Sequence, residues 1–191
     1  GKTSIGFVGY ENEIKTKKGN IENQFRSLLK SISQVPERFH EAEMFFEPKQ
    51  IVGYSAAVKQ LYGPGYVLTG NASEFLDPVF SSGVTFACES ARISGELICE
   101  ELKGNKQDWE TLYAKHLKQG VDTFRTYVKA WYDGRLQTIF FSEKSEEGIN
   151  RKICSVLAGY VWDKKNAFVR SHDSSVTNLA QLLKAQTNQT T

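Results

Sequence analysis

Apolar positions fall into short β-type runs in the first third of the chain and into long helical stripes after it. Thr3-Ser-Ile-Gly-Phe-Val-Gly-Tyr10 is rich in β-branched and aromatic residues and predicts a strand. Lys15, Lys17 and Lys18 mark a polar loop. Ile21, Phe25, Leu28, Leu29 and Ile32 recur at helical spacing, and Pro36 ends that helix. Pro36 to Glu41 predicts another helical turn, and Pro48 stops the apolar run Met44-Phe45-Phe46. The Val-, Tyr- and Ala-rich stretch from Ile51 to Leu61 predicts extended chain. Gly63-Pro64-Gly65 signals a turn, and Tyr66-Val67-Leu68-Thr69 reads as a short buried strand ending at Gly70. Asn71 to Gly83 is a long connection with little periodicity.

The helical half follows. Val84, Ala87, Cys88, Ala91, Gly95, Ile98 and Leu102 set one helix, closed by Lys103-Gly104-Asn105. Asp108 caps the next, whose stripe runs Trp109, Leu112, Tyr113, His116, Leu117, Gly120, Phe124, Tyr127, Val128 and Trp131. Asp133-Gly134 breaks it. Leu136 to Phe141 is apolar and of undetermined type. Ile149 to Trp162 and Val176 to Leu183 predict helices, the second capped by Asp173 or Ser174. The polar tail from Thr187 is expected to fray. No internal repeat or low-complexity segment occurs.

Composition narrows the classes. A chain of 191 residues holds one medium domain, or one and a half. With 40% hydrophobic and 24% charged residues it is an ordinary globular composition, which excludes wholesale disorder. The balance of 24 basic against 22 acidic residues is too even to point to nucleic acid. No apolar run approaches the roughly 18 residues of a transmembrane helix. Cys88, Cys99 and Cys154 lack CxxC spacing, so neither a disulfide scaffold nor a zinc site is indicated. Reduced, buried cysteines and a cytoplasmic location are the expectation. The chain opens Gly-Lys-Thr, its only Met is Met44, and no signal-peptide pattern is visible, which suggests a piece of a longer protein.

The chemistry-bearing segment runs from Tyr66 to Val84: a strand, a Gly turn, a polar loop and a helix start at Ser82-Gly83. A helix N-terminus presents unpaired N–H groups and partial positive charge, and can hold an anion or an electron-rich carbonyl oxygen. Gly83 lets a flat ligand approach the backbone, and Pro78 stiffens the loop. The same features fit an ordinary strand-loop-helix connection in which Ser81 and Ser82 only cap the helix.

Phe75-Leu-Asp-Pro-Val-Phe-Ser-Ser-Gly-Val84 resembles the second flavin-binding motif of flavoprotein monooxygenases with the p-hydroxybenzoate hydroxylase fold. Within that group it is similar to flavin-dependent halogenases and halogenase-like FAD-dependent oxidoreductases. Those proteins carry Gly-Asp-Ala and then Phe-(Leu or Ile)-Asp-Pro-(Ile, Val or Leu)-Phe-Ser-Ser-Gly-Val. Geranylgeranyl reductases share the Asp-Pro and the Gly and are a weaker match. The resemblance covers roughly residues 48 to 103. It implies FAD as cofactor, a small-molecule substrate, and reduction by NAD(P)H or reduced flavin. Residue by residue, it implies that Gly70 and Asn71 sit at the ribityl chain, where the family has Asp in place of this Asn. Asp77 and Pro78 shape the loop beside the flavin. Ser81, Ser82, Gly83 and Val84 turn backbone N–H groups toward the isoalloxazine, and toward the halide in halogenases.

Three features that the resemblance implies are missing from the 191 residues: the dinucleotide-binding Gly-x-Gly-x-x-Gly, the halogenase active-site lysine and the Trp-x-Trp-x-Ile-Pro signature. The expectation is therefore the C-terminal portion of such an enzyme, inactive alone. The implied fold is α+β, with a few antiparallel strands from a substrate-domain sheet, a mostly helical C-terminal half and an incomplete Rossmann-like FAD/NAD(P)-binding fold. The expected divisions are 1–62, substrate-sheet remainder with one helix; 63–103, flavin-contacting strand-loop-helix; and 104–191, helical region. Exposed strand edges make a homo-oligomer the expected assembly.

Other candidates have plainer readings. His116 lies on an apolar stripe and reads as a packed histidine before a catalytic base. His40 and His172 are expected at the surface. Ser81 lacks the Gly-x-Ser-x-Gly context of a hydrolase. Glu74 is a solvent-exposed loop acid or faces a substrate cavity. Lys164 and Lys165 read as solvated charges, and Trp109, Trp131 and Trp162 as core or docking surface. The rival functional class is a non-catalytic helical interaction module with a degenerate flavin loop.

Overall fold

The computed structural model describes residues 2–14, 19–33, 35–39, 41–144 and 146–188. The chain forms two compact units, Gly1–Tyr54 and Ser55–Thr191. In the first, residues 2–10 are irregular, followed by α1 (Glu11–Ile14), α2 (Ile21–Lys30) and α3 (Val35–Phe39). The strand expected at Thr3–Tyr10 does not form. A strand is held by ladder bonds to a neighbour, and no strand lies among the described residues of this unit. Helix α2 forms where its periodicity predicts but stops at Lys30, before Ile32, and Pro36 lies inside α3 instead of ending α2. Asn20 caps it, its side chain accepting from the Asn23 N–H at 2.9 Å, and Phe25 meets Phe7 edge-on. Lys15, Lys17, Lys18 and His40 lie outside the described residues.

The second unit opens with two small antiparallel pairs. Strand β1 (Ala56–Ala57) pairs with a later segment, Glu74–Phe75, in the register Ala56–Phe75. Strands β2 (Tyr62–Gly63) and β3 (Tyr66–Val67) form a hairpin around Pro64-Gly65, with Gly65 at φ +79°. Pro followed by a positive-φ Gly is the pattern of a type II turn. The buried strand expected at Tyr66–Thr69 is thus a short hairpin arm, and Tyr66 is 47% exposed. The segment Glu74–Phe75 is β4.

Helices make up the rest: α4 (Gly83–Leu102), α5 (Lys115–Tyr132), α6 (Arg135–Phe140), α7 (Glu147–Leu157), α8 (Ala167–Arg170) and α9 (His172–Asn188). The α+β expectation holds, with helix dominant. Asp108 caps as predicted, accepting from the Thr111 N–H at 3.0 Å. A wide i→i+5 turn at Glu110–Ala114 leads into α5. The break at Asp133-Gly134 is real: Gly134 sits at φ +84°. Several boundaries among these helices were undetermined or differ from expectation. Of the stretch left undetermined, residues 136–140 belong to α6 and Phe141 caps its end. Helix α7 stops at Leu157, not Trp162, where Gly159 turns the chain at φ +103°. Helix α9 starts at His172, so Asp173 and Ser174 lie in its first turn. Thr187 and Asn188 are its last residues, and the tail beyond lies outside the described residues.

The main core gathers Phe86 of α4, Phe124 and Tyr127 of α5, Leu136 and Ile139 of α6, Ile153 and Val156 of α7, and Val176 and Leu179 of α9. A smaller cluster of Ile93, Leu97, Tyr113 and Leu117 lies along the later turns of α4. The apolar stripe predicted to bury α4 is not the buried face. Phe86, Ser90, Ile93, Ser94 and Leu97 are buried, whereas Val84 is 73% and Leu102 83% exposed. Cys88, Cys99 and Cys154 are all exposed, contrary to the expectation of buried thiols. No described helix is long and apolar enough to cross a membrane.

Candidate functional site

The site is assembled around the start of α4. Gly70 is buried with φ +54°, a conformation that favours glycine. Its N–H donates to Ser90 Oγ at 2.9 Å, and its carbonyl accepts from Ser73 Oγ at 2.6 Å. One side chain from the third turn of α4 thereby anchors the turn that precedes the loop. Just upstream, the Tyr113 hydroxyl donates to the Leu68 carbonyl at 2.5 Å. Burial pushes that phenol up to about 12, so it is a donor across the physiological range.

Asn71 is exposed, and its Oδ1 lies 3.6 Å from where a Cβ on Gly83 would stand. The ribityl-site residue and the helix-start glycine are therefore neighbours. Glu74 is not a solvent-exposed loop acid: its side chain is 14% exposed and pairs with Arg125 of α5 at 3.1 Å. Asp77 opens a single 3₁₀ turn, Pro78–Phe80. Its Oδ1 accepts from the Val79 N–H at 2.8 Å, and its Oδ2 from the Tyr132 hydroxyl at 3.0 Å. Pro78 occupies the first position of that turn, where its missing N–H costs nothing.

Ser81 follows at φ +53°, alone among the described non-glycine residues in having positive φ. Ser82 is buried and precedes Gly83, yet makes no side-chain capping bond. The serine caps that an ordinary connection would use are thus absent, which leaves the first N–H groups of α4 without an N-cap side chain. Gly83 is half-buried with only Asn71 near its missing side chain, and Val84 points outward. Gly70, Asn71, Asp77, Pro78, Ser81, Ser82, Gly83 and Val84 therefore all lie on one continuous loop and helix start. The arrangement offers neutral donors, a helix dipole and a surface on which a planar ring can lie.

An open cleft of about 400 Å³ lies against the next two turns of α4 and is lined by Thr85, Cys88, Glu89, Arg92, Tyr160 and Trp162, among others. His116 stacks flat on Trp162, with ring centroids 5.0 Å apart, and its Nε2 is 2.8 Å from Glu89 Oε1. Hydrogen bonds from Arg92 hold the Glu89 carboxyl below its ordinary value, and His116 adds to the effect against the opposing cost of burial. His116 is packed on one ring face, but its side chain is 32% exposed, so it is not the core histidine its stripe predicted. His172 is not a free surface residue: its Nδ1 sits 2.7 Å from Thr126 Oγ1. Lys164 and Lys165 are exposed, and Trp109, Trp131 and Trp162 pack against the core clusters.

Ser90, Arg125 and Tyr132 support this loop and were not singled out from sequence, and Trp131, expected only as core or docking surface, supports it as well. Each acts across a long stretch of chain, and no local pattern marks such a contact.

Comparison with known proteins gives the class first: the chain is related to flavin-dependent halogenases and halogenase-like flavoproteins. It belongs to the tryptophan halogenase family, whose model matches residues 22–185. It is 28% identical over 165 residues to a 1H-pyrrole-2-carbonyl-(peptidyl-carrier protein) chlorinase of Pseudomonas fluorescens, covering 85% of this chain and 36% of that protein. It is 30% identical over 161 residues to the flavin-dependent halogenase gsfI of Penicillium aethiopicum, covering 79% of this chain and 30% of that one. Among solved structures it is similar to a flavoprotein/dehydrogenase from Cytophaga hutchinsonii, with TM-score 0.89 and 44% identity over 93% of this chain and 44% of that one. The chain thus spans about a third of the length of these curated relatives. The resemblance read from Phe75–Val84 is borne out.

Proposed function

We propose that this chain supplies the flavin-facing loop and the C-terminal helices of an FAD-dependent oxidoreductase acting on a small molecule. Gly70, Asn71, Asp77, Pro78, Ser81, Ser82, Gly83 and Val84 hold the ribityl and isoalloxazine end of FAD. Residues 1–62 belong to the substrate side, 63–103 to the flavin side and 104–191 to the helical support. The nucleotide half of the cofactor site needs a Gly-x-Gly-x-x-Gly turn, and the 191 residues contain none. The chain alone is therefore proposed to be inactive and to need the rest of an incomplete Rossmann-like fold.

The carrying observation is the start of α4: an uncapped helix N-terminus with a glycine at its first position and an amide side chain beside it. These features fit the flavin ring, which is planar and carries carbonyl oxygens that accept from N–H groups. When bound, FAD supplies two-electron redox chemistry and reaction with oxygen. The residues of this chain would orient the ring, donate backbone N–H groups to its carbonyl edge and favour negative charge there through the α4 dipole. Asn71 can donate to or accept from a ribityl hydroxyl without adding charge.

The test is FAD binding by the polypeptide that carries this chain together with a dinucleotide-binding half, followed by flavin fluorescence. Gly83→Val should weaken FAD at least about tenfold, because a branched side chain stands where the ring would lie, with little change in thermal midpoint. Asn71→Asp should tighten it by about fivefold through a charge-assisted bond. Equal affinity in all three proteins would end this reading. A second reading, a flavoprotein dehydrogenase without halide chemistry, is supported by the higher identity to the Cytophaga hutchinsonii protein. Product formation that depends on chloride or bromide selects the halogenase reading; halide-independent substrate oxidation selects the dehydrogenase.

A further inference from the structure

We propose that Trp131 and Tyr132, the last two residues of α5, are positioning residues that clamp the flavin-facing loop from both ends. The proposal rests on the flavin reading above.

The loop from Asp77 to Ser82 has little of its own to hold it. It contains one 3₁₀ turn, closed by a Ser81 N–H bond to the Pro78 carbonyl at 3.0 Å, and then a strained residue at φ +53°. A non-glycine residue in that region costs roughly 1–2 kcal/mol and persists only where its surroundings impose it. What imposes it comes from α5. At the loop entrance, the Tyr132 hydroxyl donates to Asp77 Oδ2 at 3.0 Å. This fixes the carboxylate whose other oxygen caps Val79. At the loop exit, Phe80 meets the Trp131 ring edge-on, with centroids 5.9 Å apart, and Trp131 in turn packs against Phe140 of α6. Phe80 directly precedes Ser81, so holding its ring limits the backbone freedom of the strained residue.

The two grips come from adjacent residues at one helix end. A helix turns about 100° per residue, so neighbouring side chains diverge and can reach the two ends of a short loop. That end of α5 is itself stopped by Asp133 and Gly134, and Arg135 just beyond reaches Asp173 and Thr177 of α9. The clamp is therefore anchored in the helical core, and it sets where the Ser82–Val84 N–H groups point. In the flavin reading, those groups face the ring. Rigidity at this point tunes the flavin; loosening it leaves the fold intact and blurs the donor geometry.

The experiment compares wild type with Tyr132→Phe, which keeps the ring and removes the hydroxyl. Hydrogen exchange on the 191-residue chain should quicken about tenfold in peptides spanning residues 77–83 while α7 and α9 are unchanged. In an Asp77→Ala background, Tyr132→Phe should add nothing further to loop exchange. Trp131→Leu should quicken the same loop peptides. In the FAD-loaded polypeptide, Tyr132→Phe should shift the flavin midpoint potential to a more negative value, since N–H donors that stabilise the reduced ring are less well aimed. Unchanged loop exchange, or exchange quickened equally in α7 and α9, overturns the clamp. A wild-type protein that takes up no FAD overturns the flavin reading and this role together. Normal FAD uptake with an unshifted potential in Tyr132→Phe overturns the positioning role alone.

Discussion

Among the described residues, Ser81 is the one non-glycine position held at positive φ, a region its side chain disfavours. Nothing in its chemistry calls for φ +53°; the loop on either side of it does. Replacing it with Gly relieves the left-handed strain but frees the unfolded chain, and the two effects partly offset. Ser81→Gly should stabilise the protein by about 0.5 kcal/mol, read from urea denaturation midpoints. Gly70 is the opposite case, since its positive φ is compatible with glycine. A Cβ there would also meet Ala87 Cβ at 3.4 Å. Gly70→Ala should cost about 1–2 kcal/mol by the same measurement. The cysteines show how little residue type alone decides: small apolar thiols are usually inside, yet all three here face solvent.

At the scale of elements, α4 and α5 show periodicity read correctly and read on the wrong face. The α4 stripe Val84, Ala87, Cys88, Ala91, Gly95, Ile98 and Leu102 has true helical spacing, yet all but the half-buried Ala87 are exposed. The core instead takes the face with two serines, Ser90 and Ser94. Their hydroxyls are satisfied by helix carbonyls, and Ser90 also receives the Gly70 N–H. Of the stripe predicted for α5 and the turn before it, Tyr113, Leu117, Gly120, Phe124 and Tyr127 are buried, His116, Val128 and Trp131 are half-buried, and Leu112 on the wide turn is 47% exposed. Gly120 is needed there because Trp162 lies flat against it: a Cβ would stand 2.6 Å from Trp162 Cε2. Trp162 cannot retreat, since its Nε1 donates to the His116 carbonyl at 2.8 Å and its ring carries the His116 stack. Gly120→Ala should therefore destabilise by about 2–3 kcal/mol despite the better helix propensity of Ala, with a matching fall in thermal midpoint.

For the whole molecule, two arginine-centred networks each hold one carboxylate below its ordinary value. Arg92 hydrogen bonds lower Glu89, and Arg135 hydrogen bonds lower Asp133. For a carboxyl depressed on folding, the stabilisation is fully present above the unfolded value and is lost as pH falls through the folded one. Stability should thus decline as pH drops below about 4.5 and go on falling under acid. Glu89→Gln should be less stable than wild type at pH 7 by about 1 kcal/mol, and the gap should close toward pH 3. Denaturation midpoints from pH 3 to 7 check this; a gap independent of pH would assign the loss to packing alone. Arg135, bridging Asp133 to Asp173 and Thr177, ties α6 to α9 in the same way.

The sequence by itself determined that α2, α4, α5, α7 and α9 exist, where α4 runs and where α5 breaks, and the loop that carries the family's motif; α1 and α8 are too short to leave a periodic signal, and the ends of α2, α7 and α9 fall elsewhere than expected. Those signals are local: the 3.6-residue period, Asp108 as a cap, the Gly134 break, and Asp77-Pro78 before Ser82-Gly83. Strand pairing was not legible, because ladders join residues far apart, as Ala56 joins Phe75, and Thr3–Tyr10 finds no partner among the described residues. Nor could sequence choose which face of α4 is buried, since that depends on which helices pack against it. The eight candidate residues could be named from one stretch because a single loop and helix start present them together. Their supports could not: Glu74 finds Arg125 and Asp77 finds Tyr132 only when α5 is folded against the loop. A contact between residues 55 apart is a property of packing, and packing was decided by the tertiary structure alone.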